Sequence, residues 1–561
     1  MNRKQFLRGL AAISCVRPGF AGAQQAEAPA QPSERVAIEE KARRIWEGKE
    51  PVPASYPYVM PDYKLAFPHV GTEPQLFVDN RMLEWLYDLE RIVEKPVKHP
   101  DPIIRAGDFE WEAYGNPLPS AFYDEQEKLF KMYYCVSFGA SPYNFTQVMC
   151  YAESADGIRF TKPTDRGGLT FRNHSKTNIV LEGVAWHTAW KEPYEADPRK
   201  RYKFVFWDST SDKKFGVAYS ADGYRAARTD VTPYRLSHNT GTFWDPAIRK
   251  YVSYGQYGHH WNYLYRVRGG GRQESDDLLR WSPRIPVLLP DGNFPPSTEF
   301  GTMVVHKTGS LYVATVSRYD MEPIWQSRGP KGMKYNIRDY VHPDQLLAYS
   351  RDGLQWSFAG NGAVWLENGP PGSLDYGYAD LFSQPVRHNG KLWFYYLAAR
   401  QKQTLIPATF NQVVPKSFRQ PELFADVDLK NDITPEEKRD RRCIALATLR
   451  EDGYVRVEPT HNRGALLTRQ FVFDGDRLYL NARGEFGWIQ VEVLDDEMEP
   501  IAGFRREDSD LIRGDSVAHE VRWRGNPDVR SLANRPIRLK IYVTDSWLYS
   551  FRFGRASAPR A

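Results

Sequence analysis

Apolar and polar residues alternate along most of the chain with the two-residue period of β-strands. Five hairpins of one kind lie between Pro119 and Glu458. In each, an apolar strand and a charged turn lead into an aromatic-rich strand: SAFYDEQEKLFKMYYCV, YEADPRKRYKFVFWD, GTFWDPAIRKYVSYG, MVVHKTGSLYVATVSRY and QPVRHNGKLWFYYLA. A further strand with a tight turn follows each hairpin: ESADGIRF, YSADGYRA, ESDDLLRW, YSRDGLQW and LREDGYVRV. Five repeats of a four-stranded unit predict a five-bladed β-propeller.

The segment after the last repeat alternates in the same way and carries no helix signal. Its strands are RQFVFDGDRLYLNA, GWIQVEVLDDEMEPIAGF, SVAHEVRWRG and PIRLKIYVTDSWLYSFRF. Short strands separated by polar turns predict an antiparallel β-sandwich. We therefore expect an all-β protein with a linker and N-terminal extension over residues 24–74, a propeller over 75–458 and a C-terminal β-sandwich over 459–561.

The first 23 residues have the features of an export signal peptide. Arg3 and Lys4 provide a basic start, an apolar run extends from Gly9 to Val16, and small residues follow at 21–23. This pattern predicts a periplasmic or secreted protein. No later stretch reaches the roughly 18 apolar residues that a membrane span requires.

The charge is nearly balanced, with 75 Lys and Arg against 70 Asp and Glu and no block of one sign. That balance argues against a nucleic-acid or anionic-membrane partner. Cys135 and Cys150 fall on neighbouring strands of the first blade, where they either pair or remain buried thiols. No cysteine or histidine spacing is typical of a zinc site, and no cofactor is expected.

The propeller topology sorts the polar residues onto two faces. The inner strand of each blade begins on one face, called the upper face here, and the turns joining strands 1 to 2 and 3 to 4 lie on the lower face. Aspartates recur in the lower turns: Asp124, Asp156, Asp197, Asp222, Asp245, Asp276 and Asp352. We interpret them as turn residues that bind nearby backbone amides.

The upper face brings together carboxylates, imidazoles and aromatic rings. Those at or just before the inner strands are Glu112, His187, His238, Asn239, Glu299, Asp375, Tyr376 and Asp380; the upper loops of blades 3 and 4 add Tyr257, His259, His260, Trp261, Arg318 and Asp320. Aromatic faces stack on a sugar ring, and polar groups bind its hydroxyls. Two facing carboxyls can supply the acid and the base, or nucleophile, of glycoside cleavage. The sequence thus predicts a carbohydrate site in a central funnel.

Several segments add a resemblance to a known group: LFVDN, RIVEKPVKHPDPII, YSRDGLQW, GALLTRQFVFDGDRLYLNA, VRWRG and LYSFRF. With them the chain resembles the five-bladed propeller glycoside hydrolases of the family 32 and 43 superfamily, and within it a bacterial branch described as family 32 N-terminal domain-like. The resemblance covers most of the chain beyond Gln75. It implies catalytic acids on different blades, with Glu112 as base or nucleophile and Glu299 as acid.

The resemblance implies a carboxylate on a middle blade too, where this chain has His238 and Asn239, so that Asp375 or Asp320 takes its place. By analogy it also allows a structural calcium ion at the propeller centre. The resulting hypothesis is an exported glycoside hydrolase, exo-acting on a plant, algal or microbial polysaccharide or oligosaccharide. Two alternatives stay open: a glycoside phosphorylase, with Arg318 and Arg400 at the phosphate, and a carbohydrate-binding propeller without catalysis.

Overall fold

A computed structural model describes residues 68–113, 117–141, 144–208, 215–229, 237–257, 268–295, 298–320, 323–328, 334–338, 344–400 and 442–556. Within strands, only the backbone is described for residues 137–141, 144–146, 237–240, 320, 323–328 and 334–338. These residues form strands and a few single 3-10 turns, and no helix among them is long and apolar enough to span a bilayer. The 3-10 turns include Glu110–Glu112, Pro198–Lys200, Ala359–Gly362, Arg506–Asp508 and Arg530–Leu532.

Blades 1 to 4 are antiparallel sheets built from consecutive strands, in order from the centre outwards. Blade 1 contains Leu118–Asp124, Leu129–Ser141, Asn144–Ser154 and Ile179–Glu182; blade 2 contains Val184–Lys191, Tyr202–Asp208, Gly216–Ser220 and Ala227–Arg228. Blade 3 contains Ser237–Asp245, Lys250–Tyr257, Gly269–Ser275 and Ile285–Leu288; blade 4 contains Thr298–Thr308, Leu311–Asp320, Asp344–Ser350 and an outer edge of Ser357–Phe358 and Val364–Leu366. A separate hairpin, Pro323–Arg328 with Lys334–Arg338, extends between the second and third strands of blade 4.

Blade 5 is completed by a segment from before blade 1. Its inner strands are Tyr378–Leu381, Lys391–Ala399 and Arg442–Arg450, and Val386–His388 pairs with the second of these. The outer edge is formed by Val97–Lys98 and Ile104–Arg105, which pair antiparallel with Arg442–Arg450. The ring is therefore closed by both ends of the propeller segment, and the predicted five-bladed propeller is confirmed.

One predicted strand of blade 5 lies elsewhere. LREDGYVRV was expected to supply the third and fourth strands of that blade, but Val455–Pro459 pairs with Leu89–Val93 and contacts Trp547–Gly554 in the C-terminal sheet. The outer edge that it would have joined is already occupied by Val97–Lys98. Gln75–Leu76 and Leu83–Tyr87, predicted within the propeller, also belong to the C-terminal sheet.

The C-terminal sheet is antiparallel and built around one long strand. Arg477–Leu494 has 18 residues; its first half pairs with Trp547–Gly554 and its second half with Arg538–Thr544. Arg463–Thr468 and Ile512–Glu520 also belong to this sheet. Val472–Phe473 pairs in parallel with His69–Val70 and forms a separate two-stranded sheet. A single apolar core fills this module, in which the rings of Phe473 and Phe553 stack at 3.7 Å. Its division into two sandwich layers stays a prediction.

The lower turns have the predicted chemistry. The carboxylate of Asp156 accepts hydrogen bonds from the amides of Ile158 and Arg159 at 2.9 and 2.8 Å. Asp222 and Asp352 bind turn amides in the same way. In blade 3 this residue is Asp277 rather than the expected Asp276. The lower face is thus a set of locally satisfied turns.

Cys135 and Cys150 are buried free thiols, so the open alternative of a disulfide is excluded. The strand register gives the reason: Cys150 lies opposite Tyr134, whereas Cys135 lies opposite Met149. Successive side chains of a strand point to opposite faces. The two thiols therefore enter different cores on the two sides of blade 1.

Candidate active site

Glu299 lies at the upper end of the innermost strand of blade 4 and is only 5% exposed. The Nε of Arg268 donates to its carboxylate, forming an ion pair. Glu299 lies directly opposite Tyr319 on the next strand, so both side chains occupy one face of the blade. The Arg268 guanidinium lies 5.0 Å from the centre of the Tyr319 ring. A carboxylate, a guanidinium and an aromatic ring thus form one compact cluster.

Asp380, on the innermost strand of blade 5, supports this cluster from below. It is fully buried, and its Oδ2 accepts hydrogen bonds from the hydroxyls of Tyr319 and Tyr378 at 2.8 and 2.9 Å. Its Oδ1 accepts from neutral donors of blade 4: Thr302, Ser317 and Gln345. Burial raises the pKa of Asp380, and these hydrogen bonds act in the opposite direction. Asp380 was predicted to bind substrate; its carboxylate has no exposed surface and holds the hydroxyls of Tyr319 and Tyr378.

Asp375 occupies a second position on the upper face, in a cleft rather than in the central funnel. Its Oδ2 accepts from Lys98 Nζ at 2.6 Å and from the Tyr396 hydroxyl at 3.0 Å. The cleft has a volume of about 590 Å³ and lies between the outer edges of blades 4 and 5. Gly369 permits the local fold, because a Cβ there would lie 2.3 Å from Asp375 Oδ1. Asp375 therefore lines a pocket that is large enough for a small ligand.

Glu112 does not join either group. It is fully buried in blade 1, where its Oε2 accepts from the amides of Gly107 and Asp108 and from Lys162 Nζ at 2.9, 3.0 and 2.9 Å. The Tyr134 hydroxyl donates to Oε1 at 2.6 Å. The predicted catalytic base is thus a satisfied core carboxylate, whose bonding capacity is used by the surrounding protein.

His187 is likewise a core residue rather than a sugar ligand. Its Nδ1 lies 3.1 Å from Cys135 Sγ, and its Nε2 lies 3.1 Å from the Tyr133 carbonyl. Burial lowers the pKa of His187 to about 4. The preceding residue, Trp186, has a φ of 37° at a bulge, which turns His187 towards blade 1.

Tyr257, Arg318 and Tyr376 have described side chains and lie at the upper ends of their blades. Tyr257 stacks under Arg284, whose guanidinium is 5.1 Å from the ring centre, and Arg318 Nη2 donates to Asp344 at 2.7 Å. Tyr376 lies on the loop that ends at the inner strand of blade 5, next to Asp375. The remaining predicted ligands lie outside the described side chains: His238, Asn239, His259, His260, Trp261 and Asp320.

The sequence did not single out Arg268, Lys98 or Tyr396. Arg268 directly precedes the Gly-Gly-Gly run that begins the third strand of blade 3, and its own carbonyl accepts from the amide of Phe300 beside Glu299. Lys98 lies in a segment whose partner strand is about 350 residues away. Of these three residues, Arg268 alone had a sequence signal for a site, because it lies next to a glycine run at the end of an upper loop.

The part of the chain that the structure describes contains no group of three or more His, Cys, Asp or Glu side chains arranged to hold a metal ion. Glu299 and Asp375 each face a cation of the protein, Arg268 and Lys98. These two carboxylates thus face cations among the described residues, and the calcium ion that the resemblance allowed stays a prediction.

No family model and no curated protein matches the chain. Among solved structures, an N-acetylgalactosamine deacetylase from F. plautii is 14% identical, covers 65% of this chain and 96% of its own, and has a TM-score of 0.39. A GH32 β-fructofuranosidase from Bombyx mori is 12% identical over 83% of this chain and 96% of its own, at a TM-score of 0.34. A GH43_1 enzyme from Xanthomonas citri is 12% identical over 63% and 91%, at 0.34.

These similar structures include members of the families that the sequence resembles. At such identities and TM-scores they carry no argument about activity, and the five-bladed fold rests on the strand order of this chain. The narrower bacterial branch stays a prediction.

Proposed function

We propose that the chain is a glycoside hydrolase in which Glu299 is a reacting carboxylate. The observation that carries this proposal is the ion pair of Glu299 with Arg268 beside Tyr319, at the upper end of an inner propeller strand. A carboxylate paired with an arginine serves as the nucleophile or the base of glycoside cleavage, so we propose this role for Glu299 in place of the acid that the resemblance implied. The aromatic ring and the guanidinium supply a stacking surface and hydrogen-bond donors for a sugar.

Asp375 is the second carboxyl of this proposal. It lies three residues before the inner strand of blade 5, on the same face of the propeller, and lines the cleft. The Tyr396 hydroxyl and Lys98 fix its orientation through hydrogen bonds to Oδ2. Glycoside cleavage needs one carboxyl on each side of the scissile bond. Asp375 comes from the blade next to that of Glu299 but lines the cleft and not the central funnel, so its catalytic role stays a prediction and Glu299 alone carries the proposal.

Asp380 is a positioning residue in this scheme. Its hydrogen bonds hold the hydroxyls of Tyr319 and Tyr378. The Tyr319 ring in turn contacts the guanidinium of Arg268, which pairs with Glu299. A supporting shell of this kind keeps reacting groups in place. The substrate class is a polysaccharide or oligosaccharide met outside the cytoplasm, in keeping with the signal-like N-terminus, and attack at a chain end is part of the proposal.

A phosphorylase is less favoured because one of its two predicted phosphate ligands is engaged. Arg318 donates to Asp344 at 2.7 Å, which leaves Arg400 as the cation for a phosphate. A carbohydrate-binding propeller without catalysis is the other alternative, and it differs from a hydrolase in turnover alone.

The test is hydrolysis of a panel of aryl glycosides and plant oligosaccharides by the wild-type protein and by Glu299→Gln. We expect the variant to lose about 100-fold or more of the activity, because the amide cannot act as a nucleophile or base. Glu274→Gln is the matched control, since Glu274 also pairs with an arginine, Arg272, at 2.8 Å in blade 3. It should keep its activity.

Equal loss in both variants would point to a general effect of removing an ion pair rather than to chemistry at Glu299. Full activity of Glu299→Gln would refute the site while retaining a hydrolase. Binding of a sugar without turnover of any substrate by the wild-type protein would establish the non-catalytic alternative.

A further inference from the structure

The cleft beside Asp375 joins two segments that are distant in the chain. One wall is the loop after the outer strand Val364–Leu366 of blade 4, and the other is the N-terminal segment 95–105 that closes blade 5. Tyr396, fully buried, closes the inner end with its hydroxyl on Asp375. The cleft is therefore a consequence of ring closure and opens on the upper face.

The cleft is lined by four cationic side chains and three carboxylates, the latter being Asp101, Glu367 and Asp375. Lys95 pairs with Glu367, and Lys98 pairs with Asp375 at 2.6 Å, so these two cations are balanced within the wall. Arg105 and Arg400 also line the cleft. Arg400 is exposed and forms no ion pair with any residue that the structure describes.

Arg105 and Arg400 lie at the same end of the cleft. Arg105 is the strand partner of Cys443, and Arg400 directly follows Ala399, the partner of Arg442. Burial raises the pKa of the Cys443 thiol to about 11, and the positive charges of Arg105 and Arg400 act against this rise. The strand register thus places both arginines in the part of the cleft where blade 5 meets its closing segment.

We infer that this cleft binds an anionic saccharide, with its carboxylate or sulfate group at Arg400, which lies in the same lining as Arg105. The planar guanidinium binds such oxyanions through two parallel hydrogen bonds. Asp375 and Lys98 offer an acceptor and a donor for the hydroxyls of the same sugar. The inference deepens the proposed function, on which it rests through Asp375, by giving the substrate an acidic character.

Binding is measured by isothermal titration calorimetry on Glu299→Gln, so that no turnover interferes. The probes are D-glucuronate, D-glucose 6-sulfate, D-glucose and sodium sulfate. We expect at least one of the two acidic sugars to bind about tenfold more tightly than D-glucose, and the difference between them identifies the carboxylate or the sulfate ester as the preferred group. The affinity should fall as salt concentration rises.

Arg400→Gln in the same background should remove the preference for acidic sugars, and Arg400→Lys should retain part of it through charge alone. Because Arg400 is exposed, neither change disturbs a core. Arg159→Gln is the control, since Arg159 is an exposed arginine of a lower turn that pairs with Asp156. It should bind like its parent.

Equal affinity for D-glucose and both acidic sugars, or an acidic preference that survives Arg400→Gln, would overturn the inference. Sulfate binding as tight as either sugar acid would also overturn it, because the site would then recognise an ion alone. Arg400-dependent binding without hydrolysis by the wild-type protein supports the inference and refutes the hydrolase. Hydrolysis of neutral and acidic glycosides at equal rates, unchanged in Arg400→Gln, refutes the inference and leaves the hydrolase.

Discussion

Buried carboxylates at the joints between blades are held by lysines of the next blade. Asp124 of blade 1 accepts from Lys191 of blade 2 at 2.7 Å, and Asp245 of blade 3 accepts from Lys307 of blade 4 at 2.8 Å. Burial alone would raise the pKa of Asp124, but the hydrogen bond from Lys191 and the charge of Lys131 lower it to about 2. Because this pKa lies below that of an unfolded chain, the joint stabilises the fold above about pH 4 and weakens as the pH falls towards 2.

Glu112 provides a prediction that separates stability from catalysis. We expect Glu112→Gln to lower the free energy of unfolding by about 1–3 kcal/mol, because Lys162 keeps Asp108 but loses its buried partner, and the amide cannot accept every hydrogen bond that the carboxylate accepts. Chemical denaturation followed by tryptophan fluorescence measures the change. The folded fraction of this variant should keep the specific activity of the wild-type protein.

The double variant Glu112→Gln/Lys162→Met is the control for this prediction, since it removes the charge that Glu112 balances in the core and should recover part of the loss. A folded Glu112→Gln protein with activity reduced as strongly as in Glu299→Gln would contradict it and return Glu112 to the catalytic site.

At this scale the sequence predicted the chemistry of the tight lower turns, but not the contacts between residues that are distant in the chain. Asp156, Asp222 and Asp352 of the lower turns bind amides two or three residues away, so a local pattern suffices to place them, whereas Asp124 and Asp245 also bind lysines of the next blade. Glu112 depends on Lys162, which lies 50 residues later, and Glu299 depends on Arg268 from a different blade. The alternation of apolar and polar residues within one strand cannot predict partners that lie in another strand or blade.

The closing strands of blade 5 are the structural elements on which the ring depends. The amides of His99 and Ile103 donate to the carbonyls of Leu446 and Ile444 at 2.8 and 2.7 Å. We expect Ile103→Pro to open this edge, because proline removes an amide donor and leaves a buried acceptor without a partner. Hydrogen exchange followed by mass spectrometry should show lost protection over 442–450, with unchanged protection over 202–208 in blade 2.

Ile103→Val is the matched control, since it trims the side chain and keeps the amide, at a cost of about 1 kcal/mol. If it exposes 442–450 to the same extent as the proline variant, packing of Ile103 rather than the strand pairing closes the blade.

The same elements show why the sequence misplaced the fourth strand of blade 5. Val455–Pro459 alternates like an edge strand and follows a Glu-Asp-Gly turn, as in the other blades. Its pattern is equally suited to any open sheet edge. Val97–Lys98 and Ile104–Arg105 are two residues each, too short to give a strand signal, yet they occupy the edge of blade 5.

At the scale of the whole molecule, the propeller and the C-terminal sheet are linked by polar contacts and by strands that precede the propeller in the chain but belong to the C-terminal sheet. Arg450, at the end of a blade 5 strand, donates to Asn481 at 2.6 Å and to the Ala482 carbonyl at 3.1 Å. Asn481 in return donates to the Glu451 carbonyl at 2.7 Å. Leu83–Tyr87 and Leu89–Val93 precede the propeller and complete the C-terminal sheet.

We therefore expect the described body to unfold in one cooperative transition. Loss of the C-terminal sheet would remove the partners of Leu83–Tyr87 and Leu89–Val93, the strands directly before the closing strand Val97–Lys98 of blade 5. We therefore expect neither the propeller nor the C-terminal sheet to stay folded without the other. Differential scanning calorimetry should show a single heat-absorption peak for residues 68–556. Two separated peaks, or a stable propeller fragment after limited proteolysis, would contradict this expectation.

Closure by Val97–Lys98 also has a consequence for the order in which the chain is made. Lys98 leaves the ribosome about 350 residues before Ala447, its partner in the ring. At synthesis rates of about 5–20 residues per second, that interval is roughly 20 to 70 s. During this time the first segment has no edge to join, while blades 1 to 4 are already translated. The closing strand Val97–Lys98 is thus translated before blades 1 to 4 but is among the last strands to pair.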